Sequence, residues 1–254
     1  MPATQLSFGD DAHKTIRRGV DTRARSMQRL GAFERMGAAP MRSQQVRIGP
    51  RALPGDLDLP ARSRALVMFA HGSGSSRLSS RNRWVAEVLQ QHALSTLLFD
   101  LLDADEAADR FKVFDIAVLS ERVQQALDWV AGQAALAGMN VGLFGASTGA
   151  AGALCAAAAR PGDVAAVVSR GGRPDLVAGS LSAVQAPTLL IVGGADRAVL
   201  ALNRQALREL RCEKRLEVVP RATHLFDEPG ALDSVAQLAA AWFATHLGRR
   251  PLTA

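Results

Sequence analysis

The stretch "MNVGLFGASTGAAGALCAAAA", residues 139–159, decides how the chain is read. The run VGLF has the continuous apolar character of a strand covered on both faces, and the alanine-rich GAAGALCAAAA has the composition of a helix. Between them stands Gly145-Ala146-Ser147-Thr148-Gly149. A strand that becomes a helix within so few residues must turn sharply, and only small neighbours tolerate the strained backbone at the centre of that turn. Ser147 is therefore either a helix cap or a hydroxyl raised above the end of a strand. The pattern is short, so the flanking sequence has to choose between the two.

Working outward, strand and helix patterns alternate. RALVMFAHGSGSS (64–76) is an apolar run ending in a glycine-serine loop, and SSRNRWVAEVLQQHA (79–93) carries a helical stripe at Trp84, Val85, Val88 and Leu89. STLLFDLL (95–102) reads as a strand and FDIAVLSERVQQALDWVAGQAAL (114–136) as a long amphipathic helix. After the opening stretch come the strands DVAAVVSRGG (163–172), APTLLIVGGAD (186–196) and RLEVVP (215–220). The helices LALNRQALREL (200–210) and SVAQLAAAWFATHL (234–247) separate and close them. Upstream, QQVRIGPRALPGDLDLP (44–60) alternates like a hairpin turning at Pro54-Gly55. Continuous Val/Leu/Ile runs mean strands covered on both faces. The expected class is α/β, a doubly wound, mostly parallel sheet flanked by helices.

The domain organisation expected is a basic, poorly ordered leader over residues 1–45, one folded domain over 46–248 and a short tail over 249–254. The whole chain carries a formal charge of +6. Residues 1–46 hold eight Lys/Arg against four Asp/Glu, so most of the excess lies in the leader and the body is nearly neutral. A nucleic-acid partner is not expected on that distribution. The longest apolar runs, ALVMFA and TLLIVG, have strand length, and the first residues lack an apolar signal core, so neither a membrane span nor secretion is expected. Two cysteines without metal-site spacing, Cys155 and Cys212, fit a reducing compartment, and the expected location is cytoplasmic.

In such sheets, ligands sit beyond the carboxyl ends of the strands. Four loops there carry polar or glycine-rich residues: 71–76, 145–149, 193–196 and 222–224. If Ser147 is a nucleophile, it needs a base, and the base needs an orienting acid. His224, in a short loop after a strand, is the best base of the five histidines. His13 lies in the leader, His92 ends a helix and His246 sits on the last helix. His71, directly before a glycine in the first central loop, is the rival, with shaping that turn as its alternative role. The acid is Asp196, after two glycines that let the chain turn. Capping the next helix is its other reading, and Asp175 and Asp100 are the alternative acids.

With Ser147, Asp196 and His224 following successive strands in the order nucleophile, acid, histidine, and His71-Gly72 after the first central strand, the chain resembles the α/β-hydrolase fold, nearest its dienelactone-hydrolase-like branch. The resemblance spans about residues 46–248. Dienelactone hydrolases proper carry a cysteine nucleophile. Serine in that place points to a serine esterase acting on a small-molecule ester, with no cofactor and no metal. The resemblance implies an oxyanion hole from the backbone N–H of Thr148 and of Ser73, with Gly74 as the alternative donor. Substrate contacts are expected at Gly72, Gly74 and Arg173. Only Arg173 to Gln185 separate the strand after the nucleophile helix from the one carrying the acid, too few residues for a cap domain. An open, loop-bounded pocket preferring short acyl groups is the consequence expected. Acyl transfer and thioester cleavage use the same constellation, and a non-catalytic binding module is a further alternative. A dinucleotide loop is disfavoured, because Gly142, Gly145 and Gly149 do not have G-x-G-x-x-G spacing.

Overall fold

The computed structural model describes residues 41–248. The expected leader as far as residue 40 and the tail 249–254 lie outside the described residues. Residues 41–45, placed in the expected leader, pair in the first strand.

Eight strands form one sheet: β1 (Met41–Ile48), β2 (Leu53–Pro60), β3 (Ala65–Ala70), β4 (Ser95–Phe99), β5 (Asn140–Ala146), β6 (Ala166–Arg170), β7 (Thr188–Gly193) and β8 (Lys214–Val219). Their order is β1-β2-β4-β3-β5-β6-β7-β8. β1 and β2 are antiparallel, β2 runs antiparallel to β4, and every pairing from β4 to β8 is parallel. The helices are α1 (Ser80–Gln91), α2 (Ala104–Ala108), α3 (Arg110–Val113), α4 (Ile116–Ala131), α5 (Thr148–Ala159), α6 (Arg197–Glu209) and α7 (Ala231–Leu247).

The continuous apolar runs are explained by two cores, one on each face of the sheet. In β3, Leu66, Met68 and Ala70 face the core shared with α4 and α5, whereas Ala65, Val67 and Phe69 face the core shared with α1 and α7. Successive strand residues point to opposite faces, so a strand covered on both sides has no polar face to show. Small residues let the layers approach. A Cβ on Gly142 would stand 2.6 Å from the Phe243 ring, and one on Gly152 would stand 3.0 Å from Leu119 Cβ. The alanine-rich α5 is buried on nearly all sides for the same reason.

Two local readings change, and a segment left unread gains structure. The hairpin turns at Gly49–Ala52, where the Ala52 N–H donates to the Gly49 carbonyl at 3.0 Å, and Pro54-Gly55 belongs to β2. Pro54 sits near the start of that strand, where a missing N–H costs little. Trp84 leaves the buried stripe of α1. It is 45% exposed and donates its indole N–H to Asp233 at 2.9 Å, while Val85, Val88 and Leu89 are buried. Finally, residues 103–115 form two short helices, each opened by an aspartate cap (Asp103 and Asp109), before a third, Asp115, caps α4. Among the described residues no helix is long and apolar enough to cross a membrane.

Candidate active site

Ser147 sits between β5 and α5 with φ 52° and ψ −121°, a conformation rare for a residue with a side chain. Its neighbours make that turn possible. A Cβ on Gly145 would come within 2.4 Å of the Ala150 Cα, and one on Gly149 within 2.2 Å of the His71 carbonyl oxygen. The turn is also pinned from the next strand. The Ser147 N–H donates to the Arg170 carbonyl at 3.2 Å, and the Arg173 N–H donates to the Ser147 carbonyl at 3.2 Å. The Ser147 side chain makes no capping bond to its helix, so the hydroxyl is not spent as a cap.

The loops carrying Asp196 and His224 are stitched together by backbone. Gly194 N–H donates to the Val219 carbonyl at 2.8 Å, and Ala195 N–H donates to the Ala222 carbonyl at 2.9 Å. The approach is so close that a Cβ on Gly193 would lie 2.3 Å from the Ala222 oxygen. Asp196 begins α6 but does not cap it with its side chain. Its Oδ2 lies 2.7 Å from His224 Nδ1 instead. Nδ1–H of the neutral imidazole donates to that carboxylate, which leaves Nε2 as the acceptor of the ring. Gly171, just after Arg170, lies beside the ring: a Cβ there would stand 3.5 Å from His224 Cε1.

The rivals are occupied elsewhere. His71 is buried, with Nδ1 3.0 Å from the Gly72 carbonyl oxygen and Nε2 accepting the Leu101 N–H at 3.0 Å. Both ring nitrogens are used, and burial holds its pKa below the ordinary histidine value, the Gly72 hydrogen bond and the Asp100 charge opposing it. Asp100 accepts from the Arg77 backbone and guanidinium, each at 2.7 Å. Asp175 binds Arg173 in a two-pronged pair at 2.8 and 2.7 Å. That pair raises the Arg173 pKa and engages the guanidinium expected to meet substrate.

On the other side of the turn, the Thr148 N–H heads α5, where first-turn amides have no acceptor within the helix. The Thr148 hydroxyl accepts the Ser73 N–H at 2.9 Å and so docks the 72–74 loop onto the helix start. A Ser73 N–H aimed at an oxyanion must therefore share or exchange that bond. Gly72 packs against the nucleophile, since a Cβ there would lie 3.0 Å from Ser147 Cβ, whereas Gly74 is exposed at φ 67° with open space around it.

Beside this loop lies a cavity of about 780 Å³, bounded by the β1–β2 turn, the 71–76 loop, α2 and the start of α4. Thr148 and Gly72 line it; Ser147, Asp196 and His224 do not. Its wall depends on charge. Glu106 is buried and lies 3.1 Å from the nearly buried Arg122 and 3.4 Å from Arg51, which in turn lies 2.6 Å from Asp103. The sequence reading missed this wall. The one local signal was the Asp103-x-x-Glu106 spacing of a capping box, which the structure contains. It also missed Arg170, whose enclosure pushes its guanidinium down to about 10, with nearby Arg81 adding to the fall. Among the described residues no group of three or more His, Cys, Asp or Glu is placed to hold a metal ion.

No family model matches the sequence. Proteins from two strains of Mycobacterium tuberculosis, both provisionally named phosphoribosyl transferase, are 50% identical over 230 residues, which is 90% of this chain. The chain spans about half, 52%, of the length of those relatives. The crystal structure of dienelactone hydrolase from Anabaena variabilis is 52% identical with a TM-score of 0.79, matching 83% of this chain and 100% of its own. A dienelactone hydrolase-like promiscuous phosphotriesterase from metagenomic libraries shares the fold at 20% identity and a TM-score of 0.68, over 84% of this chain and 100% of its own.

Proposed function

The chain belongs to the dienelactone-hydrolase-like branch of the α/β hydrolases, and from that premise we propose that it is a serine hydrolase cleaving a carboxylic ester of a small molecule through an acyl-enzyme. The observation that carries the reading is the 2.7 Å contact of Asp196 with His224 Nδ1, taken with a serine held at φ 52° whose hydroxyl is uncommitted to a cap.

In the proposed reaction, Ser147 Oγ bonds to the ester carbonyl carbon while its proton passes to His224 Nε2. Asp196 holds the ring in the tautomer that can accept it and stabilises the imidazolium that results. The carbonyl oxygen becomes an oxyanion, placed for the Thr148 N–H and the positive end of α5, with the 72–74 loop supplying the second donor. The bond from carbon to the leaving oxygen then breaks, and the imidazolium returns its proton to that oxygen, releasing the alcohol. Water adds to the acyl-enzyme by the same steps, giving the acid and the free serine.

The name phosphoribosyl transferase attaches to proteins of which this chain spans about half, and it assigns no role to a residue of this site. The test is labelling with a fluorophosphonate probe. Wild type should be labelled at Ser147 and Ser147→Ala should not, with p-nitrophenyl acetate hydrolysis lost in parallel. Wild type inert to both probe and ester would refute the reading.

A further inference from the structure

A carbonyl carbon under attack by Ser147 has three other substituents, and their places are separately constrained. The oxygen that becomes negative must meet the backbone donors at Thr148 and the 72–74 loop. The leaving oxygen must stand beside His224, because it receives its proton from that ring. What remains is the acyl chain. The cavity of about 780 Å³ reaches Gly72 and Thr148, which adjoin Ser147, whereas Ser147, Asp196 and His224 do not line it. An oxyanion is one atom and cannot fill it, and a leaving alcohol placed in it would lie away from the ring that must protonate it.

We infer that this cavity receives the acyl half of the substrate, so that selectivity is exercised on the acid and hardly on the alcohol. The inference rests on the acyl-enzyme reading above. The volume falls within the usual 300–1,000 Å³ of small-molecule sites and suits a bulky acyl group such as an arylalkanoyl chain, far larger than acetyl. The charges of the wall are largely spent on one another, Arg51 with Asp103 and Glu106 and Arg77 with Asp100. The surface left for the ligand includes Leu53, Leu102, Ala104, Ala107 and Leu119. The preference for short acyl groups expected from an open pocket is replaced by this, because the segment 103–115 walls the site without being a cap domain.

Ala104 and Ala107 are small residues that line this space. Both are exposed, so a large side chain at either does not have to displace core. The experiment compares wild type, Ala107→Trp and Ala104→Phe, each checked by thermal melt, on two substrate pairs. One pair varies the acid with a fixed alcohol, p-nitrophenyl acetate against p-nitrophenyl 4-phenylbutyrate. The other varies the alcohol with a fixed acid, ethyl acetate against 3-phenylpropyl acetate. Filling the cavity should lower the kcat/KM ratio of bulky to small acyl group by about tenfold or more, the range a blocked apolar pocket gives. The ratio for bulky to small alcohol should stay within about twofold on the same grounds. A fall in the alcohol ratio instead, or no change in either, overturns the assignment while leaving the acyl-enzyme reading intact. Wild type that cleaves none of the four esters overturns both.

Discussion

The two sides of Ser147 are held in different ways. On the base side, the loops bearing Asp196 and His224 are joined by main-chain hydrogen bonds and by glycines whose carbon-free faces let carbonyls approach. On the cavity side, the wall is held by side-chain ion pairs between residues far apart in sequence, Arg51 with Asp103 and Arg122 with Glu106. Backbone stitching leaves a local trace in sequence, a glycine at a fixed place after a strand. Ion pairing leaves none, since any Arg could meet any Asp. The proposed catalytic residues thus lie in short motifs, while the cavity wall is built from long-range contacts that one sequence does not reveal.

The largest expected effect lies at the centre of the comparison. Ser147→Ala should lower kcat by on the order of 10³-fold or more, with the melting temperature nearly unchanged because the hydroxyl supports no structural bond. If the melting temperature falls sharply, the serine is part of the stitching and the two sides are not separable. Next comes the backbone side itself. In Gly149→Ala a methyl meets the Ala70 and His71 carbonyl oxygens within about 2.3 Å, and the loss of stability should reach about 3 kcal/mol in denaturant unfolding, the upper part of the overpacking range. A loss near zero would show that the turn can give way, and the rigidity assigned to this side would go with it.

The wall should yield less. Glu106→Gln leaves the nearly buried Arg122 without its carboxylate, and stability should fall by about 2–3 kcal/mol. Activity on p-nitrophenyl acetate should be affected less than activity on bulky acyl esters, since the wall and not the triad is loosened. Equal losses on both would mean that the wall also positions the serine. The smallest effect concerns pH. Burial lowers the His71 pKa, so the unfolded chain binds the proton first, and the contribution of His71 to stability is present above its unfolded value and is lost as pH falls below about 6.5. His71→Gln should flatten the fall in melting temperature between pH 7 and 5, and an unchanged slope would assign that fall to other groups.

The parallel sheet and both cores were legible because doubly covered strands such as ALVMFA and TLLIVG have no polar face. Asp196 was a candidate for the same reason, standing where such a run ends, and His224 because it follows the strand RLEVVP in a short loop. Trp84 misled because helical spacing says which residues share a face but not how far the face is covered at its margin. The hairpin turn was misplaced because Pro-Gly is a stronger local signal than Gly49 and Ala52, and only the pairing of β2 with both β1 and β4 overrides it. Arg173 looked available for substrate because its partner, two residues on, was read as a competing acid and not as its counter-ion.

The bond from Ser147 N–H to the Arg170 carbonyl also has a consequence in time. Ser147 takes its backbone shape from a strand synthesised after it, and its proposed base, His224, comes later still. During synthesis or refolding, β5 and α5 can form while the serine between them lacks the anchor that holds its turn. Esterase activity should therefore return after the helical signal, lagging by the time β6 and β8 need to join the sheet. Until that anchor forms, the unfinished chain lacks the strained conformation that would arm the hydroxyl.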